Sequence, residues 1–144
     1  MRKKYILIAG AILLVLLGLA GGYGWYLYNK PHTGVGGVNA TAKLDADTLF
    51  GAFQTDETRA NGLYLGKVLE VRGKLVSSSQ TPGAISLQLD GGSPSGGISC
   101  SLAPGQKPEM AKTDRPAYVT VKGRCTGYLM DVNLVDCIIE QIEQ

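Results

Sequence analysis

Between Tyr5 and Tyr28 the chain has no charged and no amide side chain. Histidine is almost missing as well: His32 is the single one in 144 residues. No Ser-His-acid set can be built from that supply, and three cysteines without a neighbouring histidine do not make a zinc site. Neither Gly91-Gly92 nor Gly96-Gly97 precedes the Lys-Ser/Thr of a phosphate loop, so both read as turn glycines. Asp131 and Asp136, the acids nearest a plausible cleft, read as surface turn acids. The expectation is a protein that is no enzyme and uses no metal and no cofactor.

The charge-free run is the strongest positive signal. As a helix rising about 1.5 Å per residue, it reaches roughly 36 Å, enough to cross a bilayer core of about 30 Å. Arg2, Lys3 and Lys4 stand directly before it and should remain cytoplasmic, which places everything after Tyr28 on the far side. A cleaved signal peptide is the rival reading, with Gly18-Leu19-Ala20 as its small-x-small site. Against it, Trp25, Tyr26 and Tyr28 next to the polar Asn29 and Lys30 resemble the aromatic belt that closes a membrane span. No cysteine follows the run to carry a lipoprotein anchor. Gly18 and Gly22 form a small-xxx-small pair, though glycines are common in membrane helices generally.

Once this segment is set aside, the charge balance reverses. Four of the fourteen basic residues, Arg2, Lys3, Lys4 and Lys30, belong to the anchor and its flanks, while all twelve acids follow Pro31. The exposed part therefore carries ten basic and twelve acidic groups, a net of −2, which does not favour polyanions. Residues 1–4 read as a cytoplasmic flank, 5–28 as the anchor, 29–42 as a flexible Gly-rich tether, and 43–144 as one small domain.

Short helical segments start that domain. Asp45 is placed to cap a turn holding Leu49, Phe50 and Phe53, and Thr55 to cap a second one holding Ala60, Leu63 and Tyr64. Five runs with a two-residue period follow: Leu69–Leu75, Ile85–Asp90, Ile98–Leu102, Val119–Cys125 and Val135–Glu140. Ser77–Gly83, Asp90–Gly97 and a turn near Asp131 read as connections, and Glu109–Lys112 as one helical turn between the third and fourth strands. Five short strands with that single internal helical turn predict a mainly β fold, a five-stranded barrel of the OB type, with Gly73 and Gly123 at bends.

The stretch Lys122-Gly-Arg-Cys-Thr-Gly-Tyr-Leu-Met-Asp-Val-Asn-Leu-Val-Asp-Cys137 resembles the end of the bacterial tRNA-anticodon-binding-like OB-fold family. Phe53, Asp56, Glu57, Ala60 and Tyr64-Leu-Gly-Lys-Val-Leu-Glu-Val-Arg-Gly73 extend the resemblance forward, as does Ser99-Cys100-Ser101. The resemblance implies the barrel and a tethered or exported protein. It implies no reaction and no ligand.

Cys100, Cys125 and Cys137 all fall on inward positions. A hairpin centred near Asp131 puts Cys125 opposite Cys137, and a disulfide across so short a loop is worth about 3 kcal/mol. Pairings of Cys100 with either remain open. The expected role is a non-catalytic binding module of the cell envelope, meeting the bilayer through residues 5–28 and a protein or small ligand through its loops. Its contact surface is expected at the last hairpin, on Tyr128, Leu129, Met130 and Asp131, beside the loop after the first strand. An oligonucleotide- or oligosaccharide-binding protein is the alternative. Nucleic acid is the weaker choice, because the outward residues of the second and third strands, Ser86, Gln88, Asp90, Ser99 and Ser101, are neither aromatic nor basic.

A reporter active only outside the cytoplasm, fused after Gln144, is expected to be active, and the protein to resist alkaline extraction from membranes. An inactive reporter overturns the orientation, and soluble release favours cleavage after Ala20.

Overall fold

The charge-free run forms one helix, α1 (Arg2–Asn29), in a computed structural model that describes residues 2–29, 34–106 and 117–143. α1 is long and apolar enough to cross a bilayer, and none of its side chains is buried in the protein. It belongs to one unit, Met1–His32, and the rest to a second, Thr33–Gln144. His32 and the helical turn expected at Glu109–Lys112 lie outside the described residues.

In the second unit, β1 (Ala42–Asp45), α2 (Ala46–Thr55) and α3 (Glu57–Tyr64) precede five longer strands. These are β2 (Val68–Thr81), β3 (Ala84–Ser93), β4 (Gly96–Leu102), β5 (Tyr118–Tyr128) and β6 (Val132–Glu143). The five close into a barrel in the order β2-β3-β4-β6-β5, and β5 returns to β2. β4 and β6 run parallel, while the other barrel pairs are antiparallel. The short β1 is not legible as a strand in the sequence. It runs parallel to β2, Ala42 opposite Leu69 and Asp45 opposite Arg72, on the part of β2 that β3 does not reach.

The two-residue alternation places the core. Leu69, Val71, Leu87, Leu89, Ile98, Cys100, Val119, Val121 and Cys125 all point inward and are buried. α2 covers this barrel with Leu49, Phe50 and Phe53, packing on β1, β2, β3, β4 and β6. Each such side chain contributes about 1.5–3 kcal/mol when fully buried, and this holds a ten-residue helix too short to persist alone.

Several local expectations change. Ser77–Gly83 is no loop: β2 runs on through Thr81, pairing Ser78 with Leu87 and Thr81 with Ala84, so only Pro82 and Gly83 turn. Similarly β3 continues to Ser93 and leaves Pro94 and Ser95 as the turn. Polar outward residues hid both extensions, because a two-residue hairpin needs no apolar partner. Asp45 stands at the N-cap of α2 without a side-chain cap bond. Asp56, not Thr55, caps α3 by accepting from Arg59 N at 3.0 Å, while Thr55 ends α2 and donates from Oγ1 to Gly51 O. Part of the expected tether is docked as well: Val35–Gly37 forms a 3₁₀ turn against β5 and β6, and Val35 is fully buried.

The last hairpin is centred one residue earlier than expected. Tyr128 pairs with Val132 around Met130, and a one-residue move of the centre moves every partner by two. With a further register shift between Cys125 and Gly127, Cys125 faces Leu134, not Cys137. A bulge at Asp136, with φ 54°, turns Leu134 and Cys137 both inward and leaves Val135 half-buried. The expected Cys125–Cys137 disulfide therefore has no matching register, and all three cysteines are buried thiols. Cys137 instead hydrogen-bonds Cys100, which together with burial pushes the Cys100 thiol well above its ordinary range.

The mid-strand glycines answer to close approach. A Cβ on Gly73 would sit 2.7 Å from Ala46 Cβ, where α2 starts over the barrel, and one on Gly123 would collide with Cys137 Sγ. Gly123→Ala is expected to lower stability by about 1–3 kcal/mol through overpacking, a thermal shift of several degrees. In a Cys137→Ala background the same change should cost much less. Costs that simply add would overturn this register.

Candidate binding surface at the last hairpin

The four expected contact residues separate into two kinds. Tyr128 is half-buried, with its ring stacked on Phe53 at 5.7 Å and 28° and edge-on to Phe50 at 6.0 Å. Phe53 also meets Tyr64 at 6.2 Å, so one aromatic cluster joins α2, α3 and the hairpin. Aromatic pairs of this geometry add about 0.5–1.5 kcal/mol beyond their buried area. Asp131 is equally committed: its Oδ1 accepts from Gly97 N at 2.8 Å and ties the β5–β6 turn to β4. Leu129 N donates to Asp131 O at 3.2 Å, and Asn133 Nδ2 donates to the same oxygen.

Leu129 and Met130 are what this scaffold presents. They are 86% and 77% exposed, the most exposed large apolar side chains in the described part of the barrel domain. Neither side chain is covered by the barrel. Tyr128 and Asp131 hold the tip in place from below.

The loop after the first strand does not share a mouth with this tip. β2 and β5 are antiparallel, with Val68 opposite Arg124 and Lys74 opposite Tyr118. The Pro82-Gly83 turn therefore lies at the opposite strand ends from Leu129–Asp131. The neighbours of the tip were missed in the sequence. Gly66 N donates to Cys125 O, Cys125 N to Lys67 O, and Arg124 Nη1 to Gly66 O at 3.1 Å, bringing Leu65, Lys67 and Arg124 beside the hairpin. Their signal was long-range pairing, which no local pattern carries.

A concavity of about 210 Å³ lies where β1 passes into α2. Arg72, Lys74 and Tyr118 line it, together with Asp45, Asp47 and Asp90. Arg72 is already engaged, paired with Glu143 and lying 4.8 Å from the centre of the Tyr118 ring. That bond draws the Glu143 carboxyl below its ordinary value. Three carboxylates against one uncommitted lysine make a poor cradle for an anion.

A closed five-stranded barrel covered by a short helix, following a helix of membrane-spanning length, defines an OB-type β protein. The chain belongs to the tRNA_anti-like family, which it matches over residues 1–139, the apolar helix included. A solved structure from Klebsiella pneumoniae, described as a "putative nucleic acid-binding lipoprotein", has the same fold. It superimposes with a TM-score of 0.53 at 13% identity, over 68% of this chain and 91% of that one. No curated protein matches the sequence.

Tyr128→Ala and Asp131→Ala are each expected to lower the melting temperature by several degrees, the scale of about 1 kcal/mol or more in a domain this size. Leu129→Ser and Met130→Ser should leave it within about a degree, as exposed positions do. The reverse order would show that the tip is packing and not a presented surface.

Proposed function

We propose that this protein is a membrane-anchored, extracytoplasmic OB-fold module of the bacterial cell envelope that binds a protein partner or small ligand and catalyses no reaction. The observation that carries the reading is α1: a charge-free helix of spanning length with Arg2, Lys3 and Lys4 before it and the barrel domain after it. The positive-inside rule leaves the flank in the cytoplasm and the barrel beyond the membrane. The barrel itself spends its aromatic and thiol groups on packing, so its work falls to its surface.

Oligonucleotide or oligosaccharide binding is the second reading, and the description of the Klebsiella protein favours it. Composition speaks against the nucleic-acid form. The outward positions of β3 and β4 carry Ser86, Gln88, Asp90, Ser99 and Ser101, and neither a stacking ring nor a cation stands there. The pocket beside α2 adds Asp45 and Asp47 on that side of the balance. Full-length protein in detergent micelles is expected to give no anisotropy change with single-stranded DNA or RNA at physiological salt. Micromolar binding that weakens steeply with salt would replace the first reading by the second.

A further inference from the structure

We propose that Cys100 and Cys137 are a disulfide pair, joined as the exported chain folds by exchange with a disulfide oxidant of the extracytoplasmic space, and that Cys125 remains the free thiol. The inference rests on the extracytoplasmic reading, because a cytoplasmic barrel would keep all three cysteines reduced.

The backbone brings the two residues together. β4 and β6 are neighbouring strands, with Cys100 opposite Leu134 and Leu102 opposite Cys137, so the cysteines stand diagonally across one parallel pair. Ala103 N donates to Cys137 O at 2.8 Å and fixes that end of the pair. Both side chains are fully buried in the same core, and their thiols are hydrogen-bonded to one another.

An inward Cys137 does not follow from the strand period alone. Val132 and Leu134 are buried, and strict alternation would next turn Asp136 inward and Cys137 outward. Asp136, at φ 54°, reverses that order, and among the described residues it is the one non-glycine with a positive φ. A left-handed backbone at such a residue costs energy that the surroundings must supply. It delivers the Cys137 sulfur beside Cys100. Gly123 on β5 clears the space for it, since a Cβ there would collide with Cys137 Sγ. A strained residue on one strand and a missing side chain on the next thus serve a single sulfur position. Packing a small apolar group at this place calls for neither device.

Cys125 has no such partner. It faces Leu134, and burial pushes its thiol up against an opposing bond with the Gly127 backbone, while neither other cysteine acts on it.

The folded barrel seals both sulfurs of the pair from an oxidant, and burial beside a second thiol keeps Cys100 protonated. Exchange therefore precedes closure of the barrel. One cysteine thiolate attacks a sulfur of the oxidant disulfide, forming a mixed disulfide and expelling one oxidant thiolate. The other cysteine thiolate attacks the protein sulfur of that mixed disulfide, forms the Cys100–Cys137 bond and expels the second oxidant thiolate. The two cysteine protons pass through water to the two expelled thiolates. The protein loses two electrons, and the oxidant disulfide gains them as two thiols.

The test uses full-length protein in the membranes of the cells that make it. Thiols are trapped in acid and tagged, in denaturant, with a maleimide polymer that retards the chain on a gel. One tag is expected before reduction, on Cys125, and three after it. Cys125→Ala protein should take none before reduction and two after. Peptide mapping of the wild-type chain without reduction should join Cys100 to Cys137, a readout that needs no variant to fold. Three tags before reduction overturn the disulfide. A reporter after Gln144 that is active in the same cells then leaves the extracytoplasmic reading standing, and an inactive one overturns both. A link through Cys125, or one between two chains, overturns the pairing.

Discussion

Closure of the barrel rests on one pairing, that of β2 with β5. Val68–Lys74 meet Tyr118–Arg124 residue for residue, across about fifty positions of sequence. Until those strands join, the sheet has two open edges and its apolar face lies bare. Once they join, α2 can settle over the barrel, because its first residue, Ala46, touches β2 at Gly73. The hairpin tip depends on the same closure. Gly66 and Lys67 reach the β5 backbone only where β2 begins its run along β5. For a contact this distant in sequence, loop entropy is spent before the pairing returns it, the general reason that non-local strand pairing slows folding.

Strand periodicity was legible because each strand has one wet face and one dry face. Leu69, Val71 and Gly73 alternate with Glu70, Arg72 and Lys74, and nothing competes with that pattern. The hairpin ribbon Ser77–Thr81 was illegible for the opposite reason: it projects where little apolar burial is needed, so backbone pairing alone decides it. The β6 register failed for a geometric reason. A turn position one residue in error shifts every partner by two, which keeps each side chain on its correct face. Inward residues were therefore mostly right, while their opposite numbers were wrong. Asp136 then breaks the period once more, by a left-handed backbone that Asp tolerates better than most residues.

At the candidate surface, residue type misled where exposure did not. Tyr128 has the amphipathic ring of a contact residue, yet the same ring fits between Phe50 and Phe53. Asp131 has the charge of a site residue, yet the nearby Gly97 amide needs an acceptor. Sequence places all four residues at one turn but cannot divide them, because that division is set by α2 and β4, distant in the chain. Only the assembled barrel separates support from surface.

The support is what gives the tip a defined shape. An apolar pair on a free loop would fold back to cover itself, losing the exposure that makes it useful. Here the aromatic stack fixes the start of the turn, and Asp131 fixes its end. Leu129 and Met130, between those two fixed points, stand exposed. Packing at the barrel end and apolar exposure at its rim are thus a single arrangement: the tighter Tyr128 and Asp131 are held, the less freedom Leu129 and Met130 have to hide, and the less conformational entropy any partner must remove on contact.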